Sequence, residues 1–114
     1  MEKINLKAAA DAVESLFIYE KIGMFNGNVL TVVNVANRTL DVHSQEESDE
    51  LFDVIEGQFY LETETERLLV SNGEMIIVPR GVKHRPVVEE LTKFLMVELA
   101  GTLNKENSGD MYKA

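Results

Sequence analysis

The sequence predicts an all-β domain, either a barrel or a sandwich. Three observations carry that expectation. The stretch from Val29 to Ala36 (V-L-T-V-V-N-V-A) is dense in β-branched residues, which suit a pleated, half-buried surface. Short apolar runs recur downstream, and turn signals such as Asn26-Gly27-Asn28 and Ser71-Asn72-Gly73 separate them. Short strands punctuated in this way indicate packed antiparallel sheets rather than alternating strands and helices.

Along the chain, Asn5 is placed to cap a short helix running to about Leu16, since Ala8, Ala9, Ala10, Ala12 and Val13 are compatible with one. Strands are expected at Phe17–Met24, Val29–Ala36, Leu51–Glu56, Gln58–Glu62, Arg67–Val70, Glu74–Val78 and Lys93–Leu99. Residues 1–28 thus form a leading segment with a short helix and one strand, residues 29–100 the barrel, and residues 101–114 a polar tail at the surface.

Composition narrows the partners. The chain has 114 residues, enough for one modest core. Its formal net charge of −9 disfavours phosphate backbones and anionic lipids, so neither nucleic acid nor membrane is expected. Asp11 and Glu14 interrupt the N-terminal stretch, which lacks an uncharged core of signal-peptide length, and no run approaches eighteen apolar residues. A cytoplasmic location is therefore expected. With no cysteine, disulfides, thiolate metal sites and cysteine nucleophiles are excluded.

Two stretches hold potential metal ligands. The first is H-S-Q-E-E-S-D-E from His43 to Glu50, followed by Gly57; the second is G-E-M-I-I-V-P-R-G-V-K-H from Gly73 to His84. In a strand His43 and Gln45 share a face. A turn over Glu46–Asp49 then brings Glu50 onto a strand opposite His43. In the second stretch Pro79 ends a ladder and Gly81 permits a bend that returns His84 to the interior. Only Glu50 of the acidic run is expected to turn inward. The run lacks the alternating ligands and central glycine of an EF-hand loop. Arg80, Lys83 and Arg85, near His84, are either an anion-binding rim or surface charges that balance an acidic chain.

These residues resemble the cupin superfamily, specifically its small single-domain conserved-barrel members. The first family motif places two histidines one residue apart, then a glutamate, then a glycine; His43, Gln45, Glu50 and Gly57 stand there, with glutamine in place of the second histidine. The second motif is matched by Gly73, Pro79, Gly81 and His84, with Val88 where asparagine is usual. At ordinary residue frequencies, an accidental match to the four second-motif residues at one start position is roughly 5 in a million.

The resemblance implies a double-stranded β-helix, or jelly-roll, barrel. It implies one divalent metal ion (iron, manganese, nickel, cobalt, zinc or copper) held by His43, Glu50 and His84, with Gln45 either a fourth ligand or a hydrogen-bonding neighbour. Both imidazoles must be neutral to bind, so metal affinity is expected to fall below about pH 6. Glu50 is either a ligand or the proton acceptor for a bound substrate, and is the catalytic residue expected. Phe52, Val54 and Met96 are expected to wall a pocket for a small-molecule ligand. If Glu50, Phe52 and Val54 face inward, Leu51 and Ile55 face outward and need cover, from the N-terminal segment or from a second copy in a homodimer. Two functional readings follow: an enzyme of dioxygenase or sugar and keto-enol isomerase type, or a non-catalytic barrel that senses a small ligand with weak or no metal.

Overall fold

The structure, a computed structural model, describes residues 1–101 and 111–113. A short helix, α1 (Leu6–Asp11), precedes strands β1 (Ile18–Phe25), β2 (Asn28–Val35), β3 (Arg38–Thr39), β4 (Glu50–Glu56) and β5 (Gln58–Glu62). β6 (Arg67–Ser71), β7 (Met75–Val78), β8 (Arg85–Val88), β9 (Thr92–Leu99) and β10 (Met111–Lys113) complete the order. They form a six-stranded sheet, β10-β1-β2-β9-β4-β7, and a four-stranded sheet, β3-β8-β5-β6. The strand pairings are antiparallel apart from β1 with β10, where Ile18 to Glu20 run parallel to Met111 to Lys113.

The all-β expectation holds, and the double-stranded β-helix with it. The core lies between the sheets, with Val33, Phe52, Val54, Phe94 and Met96 from the larger sheet meeting Phe59, Leu61, Val70 and Val88 from the smaller. Three phenylalanines centre it: ring centroids are 5.4 Å apart for Phe52–Phe59, 4.9 Å for Phe59–Phe94 and 6.2 Å for Phe52–Phe94. The last two meet edge to face, the arrangement the ring quadrupole favours.

Where the structure departs from the expected elements, local causes are visible. The helix is capped as anticipated, the Asn5 side chain accepting from the Ala8 amide at 2.9 Å, but it ends at Asp11 rather than near Leu16. The buried Asn34 side chain donates from Nδ2 to the Ala10 and Val13 carbonyls at 3.1 and 3.2 Å, satisfying groups that a longer helix would have used itself. β3 and β8 were not anticipated, because each is short and β8 carries Pro86. Of the tail expected to be polar surface, residues 102–110 and 114 lie outside the described residues, while Met111–Lys113 extend the larger sheet.

The alternation expected on β4 also holds. Glu50, Phe52 and Val54 are buried, whereas Leu51 and Ile55 are only half-buried. α1 packs on the outer surfaces of β2, β4 and β9, so the N-terminal segment supplies cover there. β2 is consequently buried on both faces from Thr31 to Val35. Four charges clamp this helix. Lys7 reaches Asp11 at 3.1 Å and Glu56 at 2.8 Å, and Lys93 reaches Asp11 at 2.5 Å and Glu56 at 3.7 Å.

Gly57 joins β4 to β5 with φ at +99°, and a Cβ there would lie 2.7 Å from the Leu91 carbonyl oxygen and 2.9 Å from Thr92 Oγ1. Both the torsion and the space demand glycine. Thr92 Oγ1 donates to the Gln58 carbonyl at 2.8 Å, so the obstacle is tied to the turn itself. Gly57→Ala is expected to lower stability by about 2 kcal/mol or more, measured as a fall in the denaturation midpoint at unchanged slope.

The helix clamp makes a pH prediction. The Lys93 ammonium, then that of Lys7, holds the Asp11 carboxyl below its ordinary 3.8, and the Lys7 ammonium holds Glu56 below its ordinary 4.5. A carboxyl depressed in the folded state stabilises above its unfolded-state pKa, and that contribution is lost as pH falls through the folded value. The difference in thermal midpoint between the native chain and Asp11→Asn should therefore be a few degrees at neutral pH, shrink below about pH 4 and vanish on further acidification.

Candidate metal centre

The two sequence stretches that carry the site are zipped together by main chain. His43 and His84 form an antiparallel bridge, with the His43 amide donating to the His84 carbonyl at 3.0 Å and the His84 amide donating to the His43 carbonyl at 2.8 Å. The Gly81 amide donates to the Gln45 carbonyl at 2.7 Å. Directly paired strand residues place their side chains on the same face, and the imidazole centroids are 4.4 Å apart. Glu50 arrives from the other sheet, at the start of β4, where it pairs with Val78.

His84 Nε2 lies 2.9 Å from Glu50 Oε1, and His43 Nε2 lies 3.9 Å from the same oxygen. One ligand atom from each of the three residues falls within 4.8 Å of the other two. Donors bonded to one ion at about 2.1 Å sit about 3 Å apart when adjacent and about 4.2 Å apart when opposite, so slight side-chain rotation closes the set around a single ion.

Each imidazole is oriented by its own loop. His43 Nδ1 is 3.0 Å from the Asp41 carbonyl, and His84 Nδ1 is 2.9 Å from the Val82 carbonyl. A carbonyl only accepts, so Nδ1 carries the proton in both rings and Nε2 faces Glu50. In the neutral rings both Nε2 atoms present lone pairs toward a carboxylate, an arrangement that calls for positive charge at the centre. Burial pushes the Glu50 carboxyl up, but the adjacent His43 and His84 imidazoles, when they carry a second proton, outweigh it and leave the pKa below its ordinary 4.5. Two nitrogens and one carboxylate oxygen form a donor set typical of divalent first-row metals. The residues present therefore fit a metal ion.

Gln45 is brought to the same place. Its Nε2 donates to Glu98 Oε2 at 2.7 Å and to Glu50 Oε2 at 3.3 Å, while its buried Oε1 has no hydrogen-bond partner among the described residues. Of the acidic run, Glu46, Glu47 and Asp49 are exposed and Glu50 is buried. Asp49 accepts from the Arg80 main-chain and side-chain nitrogens at 2.9 and 3.2 Å, and Arg85 reaches Glu62 at 2.5 Å. Two of the three cations considered for an anion-binding rim are thus engaged by carboxylates.

Phe52, Val54 and Met96 are all buried in the core. Phe52 touches the site, with its ring edge-on to His84 at 6.1 Å between centroids. None of the three lines the cavity of about 630 Å³ between β6 and β7, walled by Leu61, Leu68, Ile76, Val78 and Val82, nor the smaller one beside His84. A smaller cavity of about 190 Å³ has His84 itself in its wall, together with Val42, Lys83 and Arg85. The second is the one adjoining the chemistry, despite its size.

Glu98 was not singled out from the sequence. It is 1% exposed and lies on β9, two residues beyond Met96 on the same face. The alternation of Thr92, Phe94 and Met96 was the available signal, since period two carries the interior face onto residue 98.

Residues 30–98 match the family model described as Cupin domain. Among solved structures, the chain is similar to a cupin-2 domain containing protein from Shewanella frigidimarina, at 25% identity and TM-score 0.79 over 84% of this chain and 93% of that one. It is also similar to protein NMB1881 from Neisseria meningitidis, at 27% identity and TM-score 0.76 over 87% and 100%. TT1209 from Thermus thermophilus shares the fold, at 20% identity and TM-score 0.72 over 87% and 97%. No curated protein matches the chain. No helix among the described residues is long and apolar enough to cross a membrane.

With zinc(II) added to nitrogen-15-labelled protein, both histidines should show a metal-shifted Nε2 and a protonated Nδ1 that exchanges slowly with water. Coordination through Nδ1 in either ring would contradict the orientation described.

Proposed function

Because the chain belongs to the cupin family, we propose that it is a metal-binding enzyme acting on an oxygen-bearing small molecule, of dioxygenase or sugar and keto-enol isomerase type. The observation that carries this reading is the convergence of His43, Glu50 and His84 inside the barrel. When bound, the ion supplies a Lewis-acid centre, with coordination positions left over by a three-residue set. The chain's own residues do the rest. The Asp41 and Val82 carbonyls hold the imidazoles in the binding tautomer. Phe52, edge-on to His84 and backed by Phe59 and Phe94, closes one side of the site.

Access is from the opposite side. The His43 side chain is 12% exposed, against 2% for Glu50 and 1% for His84. A small molecule entering there meets the cavity that Val42 and His84 wall. Glu50 serves as a ligand through Oε1. Its Oε2, already accepting from Gln45, is the atom placed to accept a substrate proton.

One observation favours a second reading, a non-catalytic barrel that senses a small ligand. Glutamine stands where the family motif has a second histidine, and a neutral amide is a weaker ligand than imidazole. Two measurements separate the readings. Elemental analysis of protein purified without chelator or histidine tag should find about one metal per chain, and His84→Ala should weaken binding by about a hundredfold or more. Diols, keto-enols and sugar phosphates offered with iron or manganese should then be turned over. Metal at full occupancy without turnover, or a co-purifying ligand with little metal, would favour the sensor.

A further inference from the structure

We infer that Glu98 is a positioning residue whose role is to set which end of the Gln45 amide faces the site, making Gln45 Oε1 a donor for the ion. This rests on the reading of the cluster as a metal centre.

A glutamine side chain is nearly symmetric in shape but not in chemistry. One end carries two hydrogens to donate and the other an oxygen that only accepts. A metal ion takes the oxygen and has no use for the amide nitrogen. Gln45 is therefore useful to an ion in one of its two amide orientations only.

Its neighbours make the choice. Nε2 stands 2.7 Å from Glu98 Oε2 and 3.3 Å from Glu50 Oε2, so its two hydrogens meet two carboxyl oxygens. Reversing the amide would push Oε1 against both oxygens. The shorter of the two contacts is the one to Glu98. Glu50 is drawn toward the histidines through its other oxygen, so Glu98 is the firmer anchor. The remaining amide atom, Oε1, is buried without a hydrogen-bond partner among the described residues. The main chain leaves little room for another solution, because the Gln45 carbonyl is pinned by Gly81 at 2.7 Å.

The test compares Glu98→Gln with Glu98→Met. Both remove charge, so any purely electrostatic effect is common to the pair, but only the glutamine keeps an oxygen that can accept from Gln45. Cobalt(II) affinity, read from its visible spectrum, should be about tenfold weaker in Glu98→Met than in Glu98→Gln. That difference should disappear when Gln45→Ala is added to both. Equal affinities, or a difference that persists in the Gln45→Ala background, would overturn the inference while leaving the metal centre standing.

A second measurement needs no metal. The two side-chain amide proton signals of Gln45 should be well separated and slow to exchange in the native chain and in Glu98→Gln, and should converge in Glu98→Met. Unchanged signals in Glu98→Met would refute the positioning role. Thermal midpoints of the metal-free variants check folding, and Glu98→Ala stands in should the methionine variant not fold. A native chain that binds no cobalt(II) overturns both the metal centre and the donor role of Gln45 Oε1, an outcome distinct from equal affinities in the two variants.

Discussion

Two main-chain hydrogen bonds, 3.0 and 2.8 Å long, join His43 to His84 across 41 residues of chain, and the rest of the site depends on them. A side-chain contact would leave the rings free to turn away from one another. A reciprocal main-chain pair instead fixes both Cα–Cβ directions onto the same face. Each ring is then tethered by Nδ1 to a carbonyl two residues earlier in its own segment. The remaining nitrogens have one direction in which to point, and Glu50 lies there. Convergence of three donors thus follows from ladder geometry before any ion arrives, which keeps the ordering cost of binding small.

The larger sheet, which brings Glu50 to that ladder, is covered on its outer side. β2 would expose Val32 and Asn34 were α1 not seated there; instead Val32 is fully buried, and Asn34 spends its amide hydrogens on the carbonyls at the end of the helix. The charge clamp adds little energy, since Lys7, Asp11 and Glu56 are largely exposed. Its value is geometric. Lys93 extends from β9 and Glu56 from β4, so both flank the helix at the seam of the two strands that carry Glu98 and Glu50. Cover, seam and site are consecutive layers of one structure.

Much of this was legible in the sequence, and the residues that were not share a cause. His43, Glu50 and His84 stood out because motif spacing and strand parity agree on them. The interior face of β4 followed from period two once the motif had set Glu50 inward. β8 was obscured by Pro86, a residue that argues against a strand unless the strand's hydrogen-bonding demands are light, and β3 is too short to show any period. No motif position marks Glu98, and a charged residue near a strand end ordinarily faces solvent. The same parity that placed Met96 inside places Glu98 inside as well. In the folded chain a hydrogen bond from Gln45 compensates the burial of the carboxyl, and periodicity prevails.

That compensation bears on why a glutamine is tolerable at the centre. An imidazole at position 45 with one nitrogen on an ion would have a single hydrogen left for the two carboxyl groups beside it. The amide presents two hydrogens at one end and a lone-pair oxygen at the other. It therefore meets Glu98 and Glu50 together while keeping an oxygen in reserve. A site with one fewer nitrogen ligand and a buried second carboxyl is harder and more oxygen-rich than a three-histidine site. On the proposal above, the substitution and the buried glutamate are two halves of one change: Glu98 keeps the amide nitrogen occupied, and the oxygen thereby retained is left for an ion.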